Sequence, residues 1–399
     1  MMTRRGPSIA LLILCEVLAV TLWFSATAAV ATLIDDGTLT RQEAGLLTSA
    51  VQLGFVAGTL ASAWFGLADR FDPRRLFALC ALLGAGINLM ILVTGFDSTA
   101  TVVLRFLTGA TMAGVYPVGM KIAAGWAGRR VGLLIGTLVG AVVLGSALPH
   151  LVTALSGLDW RTTILASSAT AALAAAGILT IGLGPRHAVS PRFVPGEALA
   201  ALRKPALLLA NAGYLGHMFE LYAMWAWIGV FLVWGLTEAG GAAPSASLLT
   251  FVVIASGGAG SILAGLAADH YGRTRVTMAA MAVSATCAAT IGLVPALGAT
   301  ALIVVAIVWG ITIVADSAQF STAVAELTEP RLVGTMLTLQ TSLGFLLTFL
   351  TIQAMPFLIA ALTWRYAFAV LAVGPALGVL AMARLRREPD SIKIAGGRR

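Results

Sequence analysis

The chain contains 399 residues, of which 59% are hydrophobic and only 11% are charged, and its mean hydropathy is +0.95. A protein dissolved in water could not keep so much apolar surface from the solvent, so this composition excludes an ordinary soluble domain. The net charge of +8 would suit a nucleic-acid-binding protein, but the basic residues fall in alternate loops between apolar runs, which argues against a nucleic-acid partner.

Twelve apolar runs follow one another along the chain, and each can cross about 30 Å of hydrocarbon as a helix. We number them spans 1 to 12, and they begin near Ile9, Ala44, Leu76, Thr101, Val131, Thr162, Pro205, Ser245, Val276, Ala301, Leu332 and Tyr366. The one long connection, residues 185–204, lies almost at mid-chain. We therefore expect an all-α integral membrane protein with six-helix bundles at 1–184 and 205–399, joined by a cytoplasmic linker at 185–204.

The basic loops predict the orientation of the chain in the membrane. Only Arg41, Arg161 and Arg365 fall on one side, whereas the other loops and the tail after Arg384 carry the remaining basic residues, among them Arg129, Arg130, Arg186 and Arg192. Positive loops stay in the cytoplasm, so both termini are expected there, in a bacterial inner membrane. The basic tail itself is expected to be disordered and attracted to anionic lipid.

A repeat of 204 residues relates the two halves of the chain. The residues that recur at this offset are Glu16, Ala19, Trp23, Trp160 and Arg161, which return as Glu220, Ala223, Trp227, Trp364 and Arg365. This spacing predicts two parallel halves related by an axis along the membrane normal. A solute site is then expected between the halves, near the middle of the bilayer.

Six ionisable residues lie within the predicted spans: Glu16 in span 1, Arg105 in span 4, His150 in span 5, His217 and Glu220 in span 7, and Asp316 in span 10. A charged side chain at such a depth costs about 2.5–3.5 kcal/mol on insertion scales, so these residues should face the bundle interior or a wet cavity. The recurrence of Glu16 as Glu220 makes this pair the first candidate for proton carriers.

The sequence leaves more than one possible role open for most of the other ionisable residues. His217 lies three residues before Glu220 on the same helix face, where it would either relay the proton or fix the carboxylate by a hydrogen bond. Arg105 either neutralises a carboxylate structurally or responds to its protonation. Asp316 would bind solute, carry a proton or pair with Lys121, and His150 beside Pro149 is expected to be structural.

Several sequence motifs resemble those of the major facilitator superfamily of membrane transporters. The segment from Gly66 to Arg75, GLADRFDPRR, is similar to the signature between spans 2 and 3 of that family, and Gly265 to Arg275 repeats it between spans 8 and 9. Arg105-Phe106-Leu107-Thr108-Gly109 resembles a span 4 signature linked to proton coupling. The glycines of span 5, at positions 136, 140 and 145, resemble a motif of the antiporter branches, although Ser146–His150 replaces its usual ending.

The resemblance implies roles for further residues. In that superfamily spans 1, 4, 7 and 10 line a central cavity. The signature loops supply candidate gating residues on the cytoplasmic side, namely Asp69, Arg70, Arg74, Asp269 and Arg273. Candidate substrate-binding residues are Trp23, Tyr116, Tyr222, Trp227 and Gln52; packing in the core is the alternative for each aromatic residue.

Taken together, these patterns predict a secondary active transporter that moves a small organic solute by alternating access. The resemblance implies that members carrying nitrate would have an arginine in spans 2 and 8; this sequence has none there, so an inorganic anion is not the expected solute. Proton-coupled export is the first expectation, proton-coupled uptake of a nutrient the second, and a solute-binding sensor without transport the third. The chain lacks the motifs of hydrolases, metalloproteases and ATPases, so we do not expect an enzyme.

The expected partners follow from the same reading. They are a neutral or cationic small molecule, protons and membrane lipid, and the protein is expected to be a monomer. The proton gradient supplies the energy, so no cofactor is expected. Cys15, Cys80 and Cys287 lack the spacing of metal ligands and are expected to be packing residues.

Overall fold

The computed structural model describes residues 4–126, 131–157, 159–185, 193–240 and 246–398, and every regular element within these residues is a helix. In the first half, the helices are Arg5–Phe24 and Val30–Asp35 for span 1, Arg41–Phe65 for span 2, Pro73–Leu89 and Ile91–Thr94 for span 3, Thr99–Met112 and Tyr116–Gly125 for span 4, Val131–Leu155 for span 5, and Trp160–Ile178 for span 6. Arg129, Arg130, Arg186 and Arg192, together with residues 186–192 of the expected linker, lie outside the described residues.

The second half repeats this order. Its helices are Pro205–Glu238 for span 7, Ala246–Tyr271 for span 8, Arg273–Thr290 for span 9, Ala299–Ala315 and Ser317–Leu327 for span 10, Val333–Ala367 for span 11, and Val373–Leu385 for span 12. The break between spans 11 and 12 falls at Thr363, whose φ of 57° interrupts the helix. Each observed start lies within a few residues of the predicted one, except that the regular α-helix of span 12 begins later than Tyr366.

Nine stretches of the described residues are long and apolar enough to cross a membrane. Spans 6 and 9 are not among them, and spans 11 and 12 fall within a single stretch, Pro330–Leu385. The all-helical, multi-span architecture is therefore confirmed. The count of twelve spans, and the domain limits at 184 and 205, stay predictions.

Polar residues in the short loops begin the helices. Thr40 and Glu43 form a capping box at the start of span 2, in which Glu43 Oε2 accepts a hydrogen bond of 2.8 Å from the Thr40 amide. Asp72 and Asp159 accept hydrogen bonds from the first amides of spans 3 and 6. These caps satisfy amides that have no partner inside the helix, so the chain can turn sharply between spans.

The two halves meet along two pairs of spans. Spans 5 and 8 pack closely because Gly140 and Gly258 face each other, and the hydroxyl of Ser261 donates to the Gly136 carbonyl at 3.3 Å. Spans 2 and 11 also pack against each other, and the amide of Gln353 in span 11 donates to the Ser49 hydroxyl in span 2 at 2.7 Å. Gly136 and Gly140 therefore serve close contact between the halves, whereas Gly145 packs against Val17 of span 1 within the first half.

We call the end of the bundle that carries both chain termini the tail face and the opposite end the far face. On the tail face, residues 389–397 fold back against the second helix of span 10. Ser391 and Ile394 are fully buried there, and the Ala395 amide donates to Glu326 Oε2 at 3.0 Å. The expectation of a disordered tail was wrong, because the basic residues flank Ile394, whose apolar side chain is buried against the protein.

Candidate functional site

A small cavity of about 70 Å³ lies between the two halves, and we call it the inner cavity. Its wall comes from spans 4, 5, 7, 10 and 11, represented by Tyr116, Ile135, Tyr214, Ser317 and Phe345. None of its lining side chains carries a charge. The wall differs from the expected set, because span 1 is missing and spans 5 and 11 take part.

One face of span 7 forms much of this wall. The lining residues Tyr214, Met218, Leu221, Tyr222 and Trp225 are spaced by three or four positions, or sums of these, which is the repeat of one helix face. Tyr222 was a sequence candidate, whereas Tyr214 and Met218 were missed. Their helical spacing from Tyr222 was the signal that could have found them.

The sequence-predicted aromatic residues separate into two groups. Tyr116 and Tyr222 lie on the wall of the inner cavity, and the ring of Trp23 stacks on Tyr222 with centroids 6.0 Å apart. Trp227 lies elsewhere, where its indole nitrogen donates to the Ile352 carbonyl at 3.2 Å in a contact with span 11. The structure thus brings Trp23, Tyr116 and Tyr222 together and leaves Trp227 apart.

Gln52 is fully buried in span 2 and does not line the inner cavity. Neither atom of its side-chain amide has a hydrogen-bond partner among the described residues. The same holds for Gln340 in span 11, which the sequence reasoning missed. Unpaired amides in a core are costly, so both glutamines are candidates for a second conformation in which they find partners.

Glu220 is held inside the second half by two neighbouring spans. The Ser284 hydroxyl of span 9 lies 2.9 Å from both carboxylate oxygens, and the Trp309 indole of span 10 donates to Oε1 at 2.6 Å. The side chain is almost fully buried and does not line a described cavity, although its neighbour Leu221 does. Glu220 is therefore the sequence neighbour of a residue on the inner cavity wall but does not itself line the cavity.

Glu16 is fully buried inside the first half, yet neither of its carboxylate oxygens has a hydrogen-bond partner among the described residues. Its carboxyl group lies against the backbone of Gly119 in span 4, so closely that a β-carbon at Gly119 would overlap it. Tyr116, one turn before Gly119, lines the inner cavity. Only a glycine at 119 allows the acid to lie this near the wall.

The repeat explains why the two glutamates differ. The residues that bind Glu220, Ser284 and Trp309, occupy the positions of Cys80 and Arg105 in the first half (284 − 80 = 204; 309 − 105 = 204). A thiol is a weak donor, and the Arg105 guanidinium makes its hydrogen bonds elsewhere. Glu16 thus loses both of the donors that its equivalent keeps.

Arg105 is fully buried and binds the end of the first helix of span 1. Its guanidinium donates to the carbonyls of Leu22 at 3.1 Å and Trp23 at 2.5 Å, and to the Ser25 hydroxyl at 3.2 Å. The negative end of a helix dipole stabilises such a cation. No described carboxylate lies within ion-pair distance, so the arginine fixes the break in span 1 in this conformation.

His217 and Asp316 form a buried pair between spans 7 and 10. The Nδ1 atom of His217 lies 2.8 Å from Oδ1 of Asp316, so the two side chains are in direct polar contact. The alternative in which His217 hydrogen-bonds Glu220 is not what the structure has, because the donors to Glu220 are Ser284 and Trp309. Asp316 likewise pairs with His217 and not with Lys121.

The described ion pairs of the candidate gating residues Asp69, Asp269 and Arg273 lie within one half of the molecule. Asp69 pairs with Lys121 of span 4, and Arg273 holds both oxygens of Glu326 at 2.8 and 2.9 Å, with Asp269 farther away at 3.9 Å. No described acidic residue pairs with Arg70. These contacts brace the tail face of each half and do not bridge the two halves.

Arg74 makes a similar brace within the first half. Its guanidinium binds the carboxylate of Asp72 at 2.6 Å and the carbonyl of Ile181, at the end of span 6, at 3.0 Å. The hydrogen bond from Arg74 lowers the pKa of Asp72, which lies in the loop between spans 2 and 3. Asp72 therefore stays ionised and holds the loop to Arg74.

A larger cavity of about 370 Å³ lies toward the far face, and we call it the outer cavity. It is lined by the end of span 1 and by parts of spans 5, 7 and 8, with His150 and Asp35 as its ionisable residues. His150 is 4% exposed, and its Nε2 atom has no hydrogen-bond partner among the described residues. The sequence reasoning gave His150 only a structural role.

The model of one protein family, described as Major Facilitator Superfamily, matches residues 12–239, more than half of the chain. The chain belongs to the Major Facilitator Superfamily. The resemblance of the sequence motifs to this superfamily is thereby confirmed. The protein is a multi-pass membrane transporter and not an enzyme.

Solved structures of other superfamily members share the fold of nearly the whole chain. The nucleoside transporter NupG is 15% identical, with a TM-score of 0.72, and the match covers 95% of this chain and 99% of NupG. The proton:xylose symporter XylE bound to 6-bromo-6-deoxy-D-glucose is 15% identical, with a TM-score of 0.70 and 96% of each chain covered. A bacterial homologue of the human lysosomal transporter Spinster, inward-facing and unoccupied, is 16% identical, with a TM-score of 0.70 and coverage of 96% and 97%.

These identities establish a common fold. No curated protein sequence matches this major facilitator at a significant level. The substrate, the direction of transport and the role of each buried acid must therefore be argued from the chain itself.

Proposed function

We propose that the protein is a proton-coupled transporter of a small, neutral organic solute with an aromatic or amphipathic body. The observation that carries this proposal is the inner cavity, which lies between the halves and has a wall of tyrosine, tryptophan and aliphatic side chains without a charge. Trp225 lies on this wall, and its buried indole nitrogen lacks a partner among the described residues, so a solute that reaches this nitrogen would accept a hydrogen bond from it.

The uncharged wall narrows the expected solute class. The sequence favoured a neutral or cationic solute, and a permanent cation would find aromatic faces in the inner cavity but no carboxylate. An anion would find no cation there. A neutral solute with one or two hydrogen-bonding groups fits this wall best, because each charge left without a partner would be costly.

We propose that Glu16 and Glu220, which are buried next to residues of the inner cavity wall, carry the protons. Glu220 and Glu16 are buried next to wall residues, Leu221 on span 7 and Tyr116 on span 4 respectively. Glu16 has neither a counter-ion nor a hydrogen-bond partner among the residues that the structure describes, which suits its protonated form. When the halves move and water reaches these acids, they would exchange protons with one compartment at a time.

Replacement of the two acids tests proton coupling. We expect Glu16→Gln and Glu220→Gln proteins, reconstituted in liposomes, to bind solute but to lose accumulation driven by a pH gradient. Glu238→Gln is the matched control, because Glu238 lies on the same span as Glu220 but is exposed at its end. If both buried variants still move solute against a proton-dependent gradient at the normal rate, the acids do not couple protons.

Export remains the first proposed direction, and uptake is the second. The glycines of span 5, which favoured export, also have packing roles, Gly136 and Gly140 against span 8 and Gly145 against span 1. Two proteins of similar fold are a nucleoside transporter and a proton:xylose symporter. Transport in oriented vesicles with the pH gradient imposed in each sense distinguishes them. Solute and protons moving in opposite directions support export, movement in the same direction supports uptake, and binding without movement supports a sensor.

We place the tail face in the cytoplasm of a bacterial cell and the far face outside. The support is the distribution of charge, because Arg70, Arg203 and Arg273 all lie at the tail face together with the basic tail. The proposed working unit is a monomer in the inner membrane that needs no cofactor besides the proton gradient. Labelling of a single cysteine placed at each face, with an impermeant reagent added to intact cells, tests this orientation.

A further inference from the structure

The outer cavity is separate from the inner cavity, and a layer of aromatic rings divides the two. Along span 7, Trp225 is the last residue of the inner wall and Ala226 is the first residue of the outer wall. Phe24 of span 1 packs on Trp225 and Tyr222 with centroids 5.7 and 6.2 Å apart. A solute in the outer cavity therefore cannot touch the inner wall until these rings move.

The outer cavity contains a polar group that has no partner. His150 lies on its wall, more than nine-tenths buried, and its Nε2 atom makes no hydrogen bond with a described residue. Leaving such a nitrogen unpaired inside a protein is unfavourable, so a ligand or water in the cavity is its natural partner. The remaining wall near His150 is made of small residues such as Ala154 and Gly229, which leave room for that ligand.

The charge of the outer cavity comes from one residue. Asp35 lies on its rim at the end of the helix Val30–Asp35, is exposed, and pairs with no described basic residue. The wall contains no lysine or arginine. The mouth of the cavity therefore carries a negative charge that attracts cations and repels anions.

We propose that the outer cavity is a binding site for a small amphipathic amine or alcohol. His150 would hydrogen-bond the polar head group, the apolar wall would cover the body of the ligand, and Asp35 would select a cation over an anion. The volume of about 370 Å³ lies within the range of small-molecule pockets, about 300–1,000 Å³. This site is distinct from the inner cavity and does not depend on proton coupling.

The test uses three probes of the same shape and different charge: benzylamine, benzyl alcohol and benzoate. A single cysteine at Ala154, on the cavity wall, is introduced into the full chain after Cys15, Cys80 and Cys287 are replaced by alanine. Its reaction with a small impermeant methanethiosulfonate is measured in liposomes with and without each probe. A cysteine at Leu297, which is 78% exposed and outside the cavity, is the control for effects on the reagent itself.

Benzylamine should protect the cysteine at 154 best, benzyl alcohol less well, and benzoate least, while the cysteine at 297 reacts unchanged. Asp35→Asn should remove the advantage of benzylamine over benzyl alcohol. His150→Phe should raise the concentrations of benzylamine and benzyl alcohol needed for protection by about fivefold, which corresponds to the loss of one hydrogen bond. His150→Gln should raise them less, because the glutamine amide can still form a hydrogen bond with the probe. These changes are expected without any pH gradient.

The proposal is overturned if no probe protects the cysteine at 154, or if protection is equal for all three probes and unaffected by the substitutions. It is also overturned if that cysteine does not react at all, because the cavity would then be closed to the far face. Loss of proton-driven transport in the Glu16 or Glu220 variants does not bear on this result. The two proposals can therefore fail independently.

Discussion

At the scale of single residues, the two buried glutamates show how position decides chemistry. They are equivalent by the repeat, but Glu220 accepts hydrogen bonds from Ser284 and Trp309 whereas Glu16 accepts none from the described part of the chain. The only accommodation for the Glu16 carboxylate that we identify is the space left by the missing side chain of Gly119. The acid of the first half is thus the less restrained of the two, which makes it the more sensitive to its immediate packing.

Gly119→Ala should lower the apparent melting temperature of the purified protein, because a methyl group at this position overlaps the Glu16 carboxylate. Overpacking of this kind costs about 1–3 kcal/mol. Gly334→Ala is the control, since a β-carbon at Gly334 meets no atom within 4 Å. The double variant Glu16→Ala with Gly119→Ala should regain stability, and a strictly additive loss in the double variant would contradict the proposed contact.

Arg105→Gln should destabilise the first half, because the carbonyls of Leu22 and Trp23 lose a charged donor inside the bundle. The loss is expected to be about 3 kcal/mol, the scale of a charge-assisted hydrogen bond in a protein. Denaturant-induced unfolding in detergent measures it. Arg161→Gln serves as the comparison, since Arg161 is exposed and stacks over Trp160 at 4.5 Å; equal losses in the two variants would argue against a structural role of Arg105.

At the scale of elements, the tail is part of the folded structure of the second half. Ile394 is fully buried on the tail face, and the amide of Ala395 binds Glu326, the same carboxylate that Arg273 holds. The tail thereby adds to the brace between spans 9 and 10. A sequence of basic residues and glycines gave no sign of this contact, because a single isoleucine supplies the apolar anchor.

Ile394→Asp should release the tail, because a carboxylate in this buried position would have no partner for its charge. Trypsin cleavage after Lys393 is then expected to be faster by about tenfold or more, as the open form becomes populated. Ile392→Asp is the matched control, since Ile392 is 59% exposed. Equal cleavage rates of the two variants would mean that Ile394 does not anchor the tail.

At the scale of the whole molecule, the contact between spans 5 and 8 holds the halves in the present arrangement. A β-carbon built on Gly140 lies 3.4 Å from the Gly258 carbonyl and 3.7 Å from its α-carbon, which is ordinary contact. A β-carbon built on Gly258 likewise lies 3.8 Å from the α-carbon of Gly140, so we expect cysteines at these two positions to lie close enough to be oxidised to a disulfide.

Oxidation of the Gly140→Cys, Gly258→Cys double variant should stop transport, and a reductant should restore it, if the halves separate at this contact during the cycle. Uptake of solute into liposomes before and after reduction measures the effect. The double alanine variant and each single cysteine variant control for packing changes. Continued transport by the fully cross-linked protein would show that the moving contact lies elsewhere.

The sequence by itself determined the membrane-spanning architecture and the superfamily. Long runs of apolar residues without charges are stable only in lipid, so they predict membrane spans. The repeat at an offset of 204 residues and the motifs around Asp69 and Arg105 can be recognised without knowing which residues are in contact. For the same reason the starts of most helices were predicted to within a few residues. Positions of caps such as Thr40 and Asp72 also follow from local chemistry.

Only the tertiary structure decided which of the candidates meet. It put Tyr116 and Tyr222 on one wall, moved Trp227 to a contact with span 11, paired His217 with Asp316 and turned Arg105 toward the end of a helix. These outcomes depend on how helices rotate and cross, which is set by packing between residues distant in the chain. Hydropathy records that a residue is buried, but not which neighbour it faces.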